Sequence, residues 1–379
     1  MTKTFVWRVA ATMAVAPVVV LGLAGCEPAV TCGSVLTEDT TLESDLLNCP
    51  GDGLVIGADD IEVRLAGHTV DGSLSEGSAG IRVDGRAGAL IRGPGLVTDF
   101  ADGVRLEDAD GNRVRELTAT GNAFGIRLVR ADGSRIVAND ARDNLEFGGD
   151  GHGPLGIPRG GVLLEGSNRN LVEGELVFQN AGGPGVALVQ SRENRVLGNV
   201  AVGSDAPNIW LRESHRNVVA GNQSTGSNVV AIELRASNDN LVEDNVASDN
   251  ESEGITVWRG SARNIVRFNS AADNHNVGIV VNDAVGTVVR GNVTSDNDRF
   301  ADGIEVRAAA SGTVVRENTS NGNGDDGIDV DSPSTRLVDN VANGNGDLGI
   351  EAVPGVVDGG GNRASGNGNP AQCTGVVCS

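Results

Sequence analysis

Seven carboxylates near the C-terminal end of the chain recur at matched spacing. Asp302 and Asp326 each stand three residues before Glu305 and Asp329, Glu351 continues the series, and Asp325 and Asp331 flank the second pair. If successive occurrences stack at the ~4.8 Å spacing of neighbouring strands, like charges face one another and repel. Four things can relieve that repulsion: the nearby Arg307, a Ca2+ held by Asp325, Asp326, Asp329 and Asp331, a proton shared on a carboxyl of raised pKa, or solvent alone. A shared proton would make Asp302, Glu305, Asp326 and Asp329 candidate acid and base residues for glycoside cleavage.

A second constellation lies mid-chain. Trp210 and Glu233 occupy one position of the same pattern, and Arg212, Arg235 and Trp258 the position two residues further on, with His215 near. Indole faces stack on sugar rings and guanidinium forks grip carboxylates bidentately, so these five residues are the candidate substrate-binding set for a polysaccharide. The structural alternative is a Trp that covers a groove edge with Arg stacked on it.

Both sets need an element that brings residues over 20 positions apart into register. Gly80-Ile81, Gly103-Val104, Gly125-Ile126, Gly161-Val162, Gly185-Val186, Asn208-Ile209, Ala231-Ile232, Gly254-Ile255, Gly278-Ile279, Gly303-Ile304, Gly327-Ile328 and Gly349-Ile350 recur every 22–25 residues, with one longer step of 36. A second register runs through Asn199, Asn222, Asn245, Asn269, Asn292, Asn318, Asn340 and Asn362. Two columns of one period define a repeat array. Each period holds two or three apolar pieces of three to five residues between Gly, Asn and Asp, too short for helix pairs and fit for strands. Stacked Asn side chains are expected to bond amide to amide along the array. In a Gly-Ile-x-Val strand, Ile and Val point inward and x outward, so the x residues should form one solvent-facing column running from Arg82, Arg105 and Arg127 to Glu305, Asp329 and Glu351.

On these signs the chain resembles the right-handed parallel β-helix superfamily, the pectin-lyase-like fold, over about residues 50–365. The resemblance implies an all-β, single-stranded solenoid of about twelve coils, and an outward sheet face on which polysaccharide lies. Asn323-Gly324-Asp325-Asp326-Gly327-Ile328-Asp329 is similar to the aspartate motifs of polygalacturonases, and Gly151-His152-Gly153 to their Gly-His-Gly motif. The order is reversed, and His152 lies about seven coils, ~34 Å, from Asp326, so the roles do not carry over. The copper-pathway β-helix proteins of the NosD type are also similar. Copper ligation there would rest on His68, His152, His215 and His275, because no Met follows residue 13.

Residues 1–25 carry Lys3 and Arg8, an apolar run and Leu23-Ala24-Gly25 directly before Cys26. They resemble a bacterial lipoprotein signal, which implies that Cys26 becomes the lipidated first residue, at the outer side of the cell membrane or the cell surface. An elongated array makes Cys32–Cys49 and Cys373–Cys378 the reachable disulfides in an oxidising compartment. Residues 26–78 are expected to form a cap and irregular first coils, 79–362 the repeats with an inserted loop over 146–159, and 363–379 a C-terminal cap. The net charge of −22 disfavours nucleic acid and anionic headgroups as partners. Tyr is absent and Lys3 is the only Lys, which removes lyases and epimerases that use either as base and leaves an Arg-dependent, Ca2+-assisted lyase or a hydrolase. Two functions follow: a lipid-anchored polysaccharide binder with or without cleavage, or a non-catalytic adhesion rod. A NosD-like metal-pathway accessory stands third.

Overall fold

The computed structural model describes residues 1–2, 29–144, 159–298 and 300–379. Met1–Val30 and Thr31–Ser379 are separate units. The expected signal, Cys26, His152 and the insertion up to residue 158 lie outside the described residues.

Thr31–Ser379 is a parallel β-solenoid of about 14 turns with strands, and no helix, among the described residues. Three parallel sheets line it. Sheet A has 14 strands, from Ser34–Leu36 to Ile350–Ala352, and sheet B has 14, from Thr40–Thr41 to Val357–Asp358. Sheet C has nine strands from Leu176–Phe178 to Arg363–Ser365, preceded by three that begin at Thr69–Asp71. The two coils beyond the expected twelve lie at the N-terminal end, where Ser34–Leu36 and Leu54–Ile56 already pair within sheet A.

A single coil shows how the sequence specifies this shape. Ile232–Arg235 in sheet A, Leu241–Glu243 in sheet B and Val246–Ser248 in sheet C each turn one or two residues inward. Ile232, Leu234, Val242 and Ala247 are fully buried, and aliphatic side chains dominate the filling of the tube, with Phe100 the only fully buried aromatic among the described residues. The turns between strands use left-handed residues that are mostly Asp, Glu, Arg or Gly, such as Asp239, Asp244 and Asp249. The glycines that open the sheet A strands have a different role. A Cβ on Gly278 would stand 2.7 Å from the Gly303 carbonyl oxygen and 2.8 Å from Asn297 Nδ2, so the next coil leaves no room for a side chain there, whereas Asn208 and Ala231 hold the same place in their own coils.

The expected Asn ladder is present: Nδ2 of Asn199, Asn222 and Asn245 each donates to the next Oδ1 at 2.9 Å, and the series continues through Asn340 to Asn362. Two further ladders run through Asn194, Asn217, Asn240 and Asn264, and from Asn250 to Asn367. All are buried, so each amide replaces its lost water contacts with a bond to the coils above and below. The first ladder contains one carboxyl. Glu175 accepts from the backbone N–H and Nδ2 of Asn139, both at 3.1 Å, while its other oxygen has no partner among the described residues. Both disulfides pair as expected, Cys32–Cys49 and Cys373–Cys378.

Burial raises the Glu175 pKa to about 8, against the lowering effect of the bonds from Asn139. The folded pKa lies above the unfolded one, so this group favours the fold fully below about pH 4.5 and loses that contribution as pH rises through about 8. Glu175→Gln keeps the acceptor and cannot ionise. It should match wild type in urea unfolding at pH 5 and exceed it at pH 9 by about 2–4 kcal/mol. Equal differences at the two pH values would show that Glu175 is solvated.

Candidate functional site

The outward face of sheet A is built by the x column, and its register holds at every step. Arg82 pairs with Arg105, Arg127 with Leu163 across the 36-residue step, Trp210 with Glu233, Glu305 with Asp329, and Asp329 with Glu351. The expectation that this column faces solvent fails in its middle. From Arg127 to Val280 each x residue is at most 9% exposed. Part of the cause is a cluster outside the tube, in which Phe124, Leu163, Ala187, Val189 and Trp210 pack together with Ala123. Large side chains of one coil lie across small ones of the next.

The basic end is a set of ion pairs rather than free charge. Arg82 bonds Asp52 at 2.7 Å, and Arg127 bonds Glu165 at 2.9 Å. Arg105 pairs with Glu107, which also takes Arg130 at 2.7 Å. Asp102 is buried among Arg105 and Arg127, at 3.7 and 3.8 Å, and desolvation raises its pKa despite them. It occupies the strand position that Asp302 and Asp326 hold in their coils, a correspondence the sequence reading did not use.

The mid-rod set comes together as expected, but in a different posture. Trp210 is buried and its Nε1–H donates to Glu233 Oε1 at 3.0 Å, so this ring is not an open stacking platform. Arg212 lies 5.9 Å from its centroid. Trp258 is half-buried, with Arg235 at 5.9 Å and Arg259 at 4.5 Å from its ring centroid. Arg259 should point inward by strand alternation, but its left-handed backbone (φ 54°) ends the strand and turns it back over the indole. That conformation is the signal missing from the sequence. Glu233 is desolvated, which raises its pKa against hydrogen bonding from the indoles and the charges of Arg235 and Arg259. Trp258 Nε1 and Thr256 Oγ1 are buried beside it, and neither makes a well-formed hydrogen bond to a described residue. His215 lies apart, in a cleft with Gln190, Arg192 and Glu213, and its Nδ1 accepts from the Asn238 N–H at 3.1 Å.

The acidic end gathers all the expected carboxylates. Arg307 is committed to Glu305 by a bidentate pair at 2.8 and 2.9 Å. Asp302 accepts from the Asp326 N–H at 3.0 Å, and Asp326 from the Leu348 N–H at 2.6 Å. Burial, aided by neighbouring carboxylates, pushes Asp302 and Asp329 up to about 7 and Asp326 up to about 8. Two three-carboxylate groups converge, Asp325, Asp326 and Asp347, and Asp326, Asp329 and Glu351, each with oxygens within 4.8 Å of one another. Asp331 belongs to neither group, while Asp347 and Glu351 enter where Asp331 was expected.

Among solved structures, the Dettilon tailspike protein gp208 is 18% identical over 89% of this chain and 61% of its own, with a TM-score of 0.52. The chain thus spans less than two thirds of the tailspike. The periplasmic alginate epimerase AlgG is 14% identical over 82% of this chain and 77% of its own, with a TM-score of 0.53. The Streptococcus pneumoniae surface protein and adhesin PfbA is 11% identical over 83% and 90%, with a TM-score of 0.52. These likenesses show a shared fold. No curated protein matches the sequence. The sequence model of the NosD family, described as periplasmic copper-binding protein, matches residues 151–274 and 251–367, which together make up more than half of the chain. With its coils, ladders and sheet A face in place, the chain belongs to the NosD family of β-helix proteins.

Proposed function

We propose that the protein is an exported β-helix that holds a polysaccharide along the outward face of sheet A, gripped mid-rod at Glu233, Arg235, Trp258 and Arg259. One observation carries this reading. Two guanidiniums, Arg235 and Arg259, stack on one half-buried indole, and neither lies within 4 Å of a carboxylate among the described residues. Guanidiniums without a carboxylate partner, held beside an aromatic ring, suit sugar hydroxyls or a uronate carboxylate. The solved neighbours include an alginate epimerase and a tailspike, which agrees with a carbohydrate partner. Export is supported by two disulfides and by the signal-like residues 1–25, with Cys26 as the proposed lipid attachment point.

The family description names copper, and the described residues do not fit it. All four cysteines from Cys32 onward are in disulfides. His68 and His275 each face a lone carboxylate, Asp45 at 3.2 Å and Glu251 at 3.0 Å. The donor groups that do converge are carboxylates, which suit a hard cation such as Ca2+.

The mature chain on a polysaccharide array should bind at least one glycan, and Trp258→Ala and Arg235→Ala should each weaken that binding by about tenfold. If wild type binds nothing, or both variants bind as well as it does, the mid-rod reading fails. Scoring the same panel for reducing ends and unsaturated product separates binder, hydrolase and lyase. Reducing ends lost in Asp326→Asn would assign the acid to the carboxyl column.

For the cation, millimolar Ca2+ should raise the melting temperature by about 2–4 °C, with reversal by chelator and loss in Asp329→Asn. Because Asp326 and Asp329 must shed protons held up to about 8 and 7, the shift should be larger at pH 8.5 than at pH 6. A melting curve indifferent to Ca2+ at both pH values would exclude the site.

A further inference from the structure

The outward face of sheet B carries charge of the opposite sign. Arg64, Arg92 and Arg115 follow one another on consecutive coils in one column, and Arg113 and Arg135 are paired in the neighbouring column. Guanidiniums stacked at ~4.8 Å repel, as the carboxylates of sheet A do. Compensation inside the protein is partial. Glu62 holds Arg64 at 2.7 Å, while Glu116 stands 3.5 Å from Arg92 and 3.8 Å from Arg115. No carboxylate among the described residues lies within 4 Å of Arg113 or Arg135, both of which are exposed, although the protein as a whole is strongly acidic. Arg115 Nε is buried without a hydrogen-bond partner. Leu90, Arg113, Arg115, Arg135 and Val137 line one cleft of about 390 Å3.

We infer that this cleft binds an acidic polysaccharide, with Arg113 and Arg135 each clasping a carboxylate of the chain and Leu90 and Val137 against the apolar faces of its sugars. The site is on a different sheet from the mid-rod patch and does not depend on that reading. An extended polymer fits because the arginines repeat along the solenoid axis, one coil at a time, and a planar guanidinium pairs bidentately with a carboxylate. An anionic membrane fits less well. The guanidiniums line a concavity, and Leu90 and Val137 are half-buried rather than projecting toward a bilayer.

The test is calorimetric titration of the mature chain with polygalacturonate at low and high salt. Wild type should bind, more weakly as salt rises, and Arg113→Gln with Arg135→Gln should lose at least about tenfold in affinity. The double Lys variant keeps the charge without the fork and should fall between them. Both arginines are exposed, so the variants should keep the wild-type circular dichroism spectrum, which is recorded in parallel. Trp258→Ala reports on sheet A independently: the Gln double variant should weaken binding further in that background too. Unchanged affinity in the Gln double variant would overturn the proposal. So would binding to phosphatidylglycerol vesicles, and not to polygalacturonate, that the Gln double variant abolishes.

Discussion

The constraint on which everything else depends is that each coil must hydrogen-bond to the next through the backbone and, over much of the array, through buried side-chain amides in up to three ladders. A ladder such as Asn222, Asn245 and Asn269 satisfies every member only if the next coil presents an amide at the same place. Register is therefore fixed inside the tube, and the outside inherits it. Whatever residue stands at x in one coil has the x residue of the next about 4.8 Å away. Repetition that is favourable for amides is unfavourable for charges, and the acidic end of sheet A and the arginine cleft of sheet B are two results of that one rule. In sheet A the conflict is relieved by Arg307 and by carboxyls held protonated up to about 7 and 8.

Much of this was legible in the sequence because it is periodic. The x column, followed from Arg82 to Glu351, keeps its register even across the 36-residue step, since the inward Ile and Val on either side of the insertion leave no other alignment. The Asn column was legible for the same reason. What the sequence did not show was side-chain posture. Trp210 is buried and turns its N–H onto Glu233 one coil on, and Arg259, at the left-handed strand end that Gln190, Glu213 and Ala236 hold in their coils, folds back over Trp258. The spacing sets these residues side by side without saying which way each side chain turns. The Asn residues serve the ladders and not the left-handed turns. Among the described residues Asn48 is the only Asn with positive φ, and most of the others lie buried in ladders.

Family membership and metal chemistry rest on different residues. The matched stretches of the NosD family lie within residues 151–367 and take in the coils from Gly160 onward, where Gly, Asn and the inward aliphatics recur. A likeness carried by those positions reports how the tube is built. Copper would require soft or imidazole donors at one place, and the three described histidines stand in separate coils with different partners. The absence of Met after residue 13 bears on that ligand set and has no bearing on the fold.

Net charge is a poor guide to partners for a solenoid, because the sheets segregate what the average conceals. At −22 the whole protein should repel polyanions, but that repulsion is largely screened beyond a Debye length, about 8–10 Å at ordinary ionic strength. Within that distance only the local face counts. Around Arg113 and Arg135 five guanidiniums face two close carboxylates over four coils, while the acidic column belongs to the far end of another sheet. A long anionic chain would thus meet repulsion over most of the surface and attraction along one short stripe. That combination orients the polymer on the rod more strictly than a uniformly basic surface would.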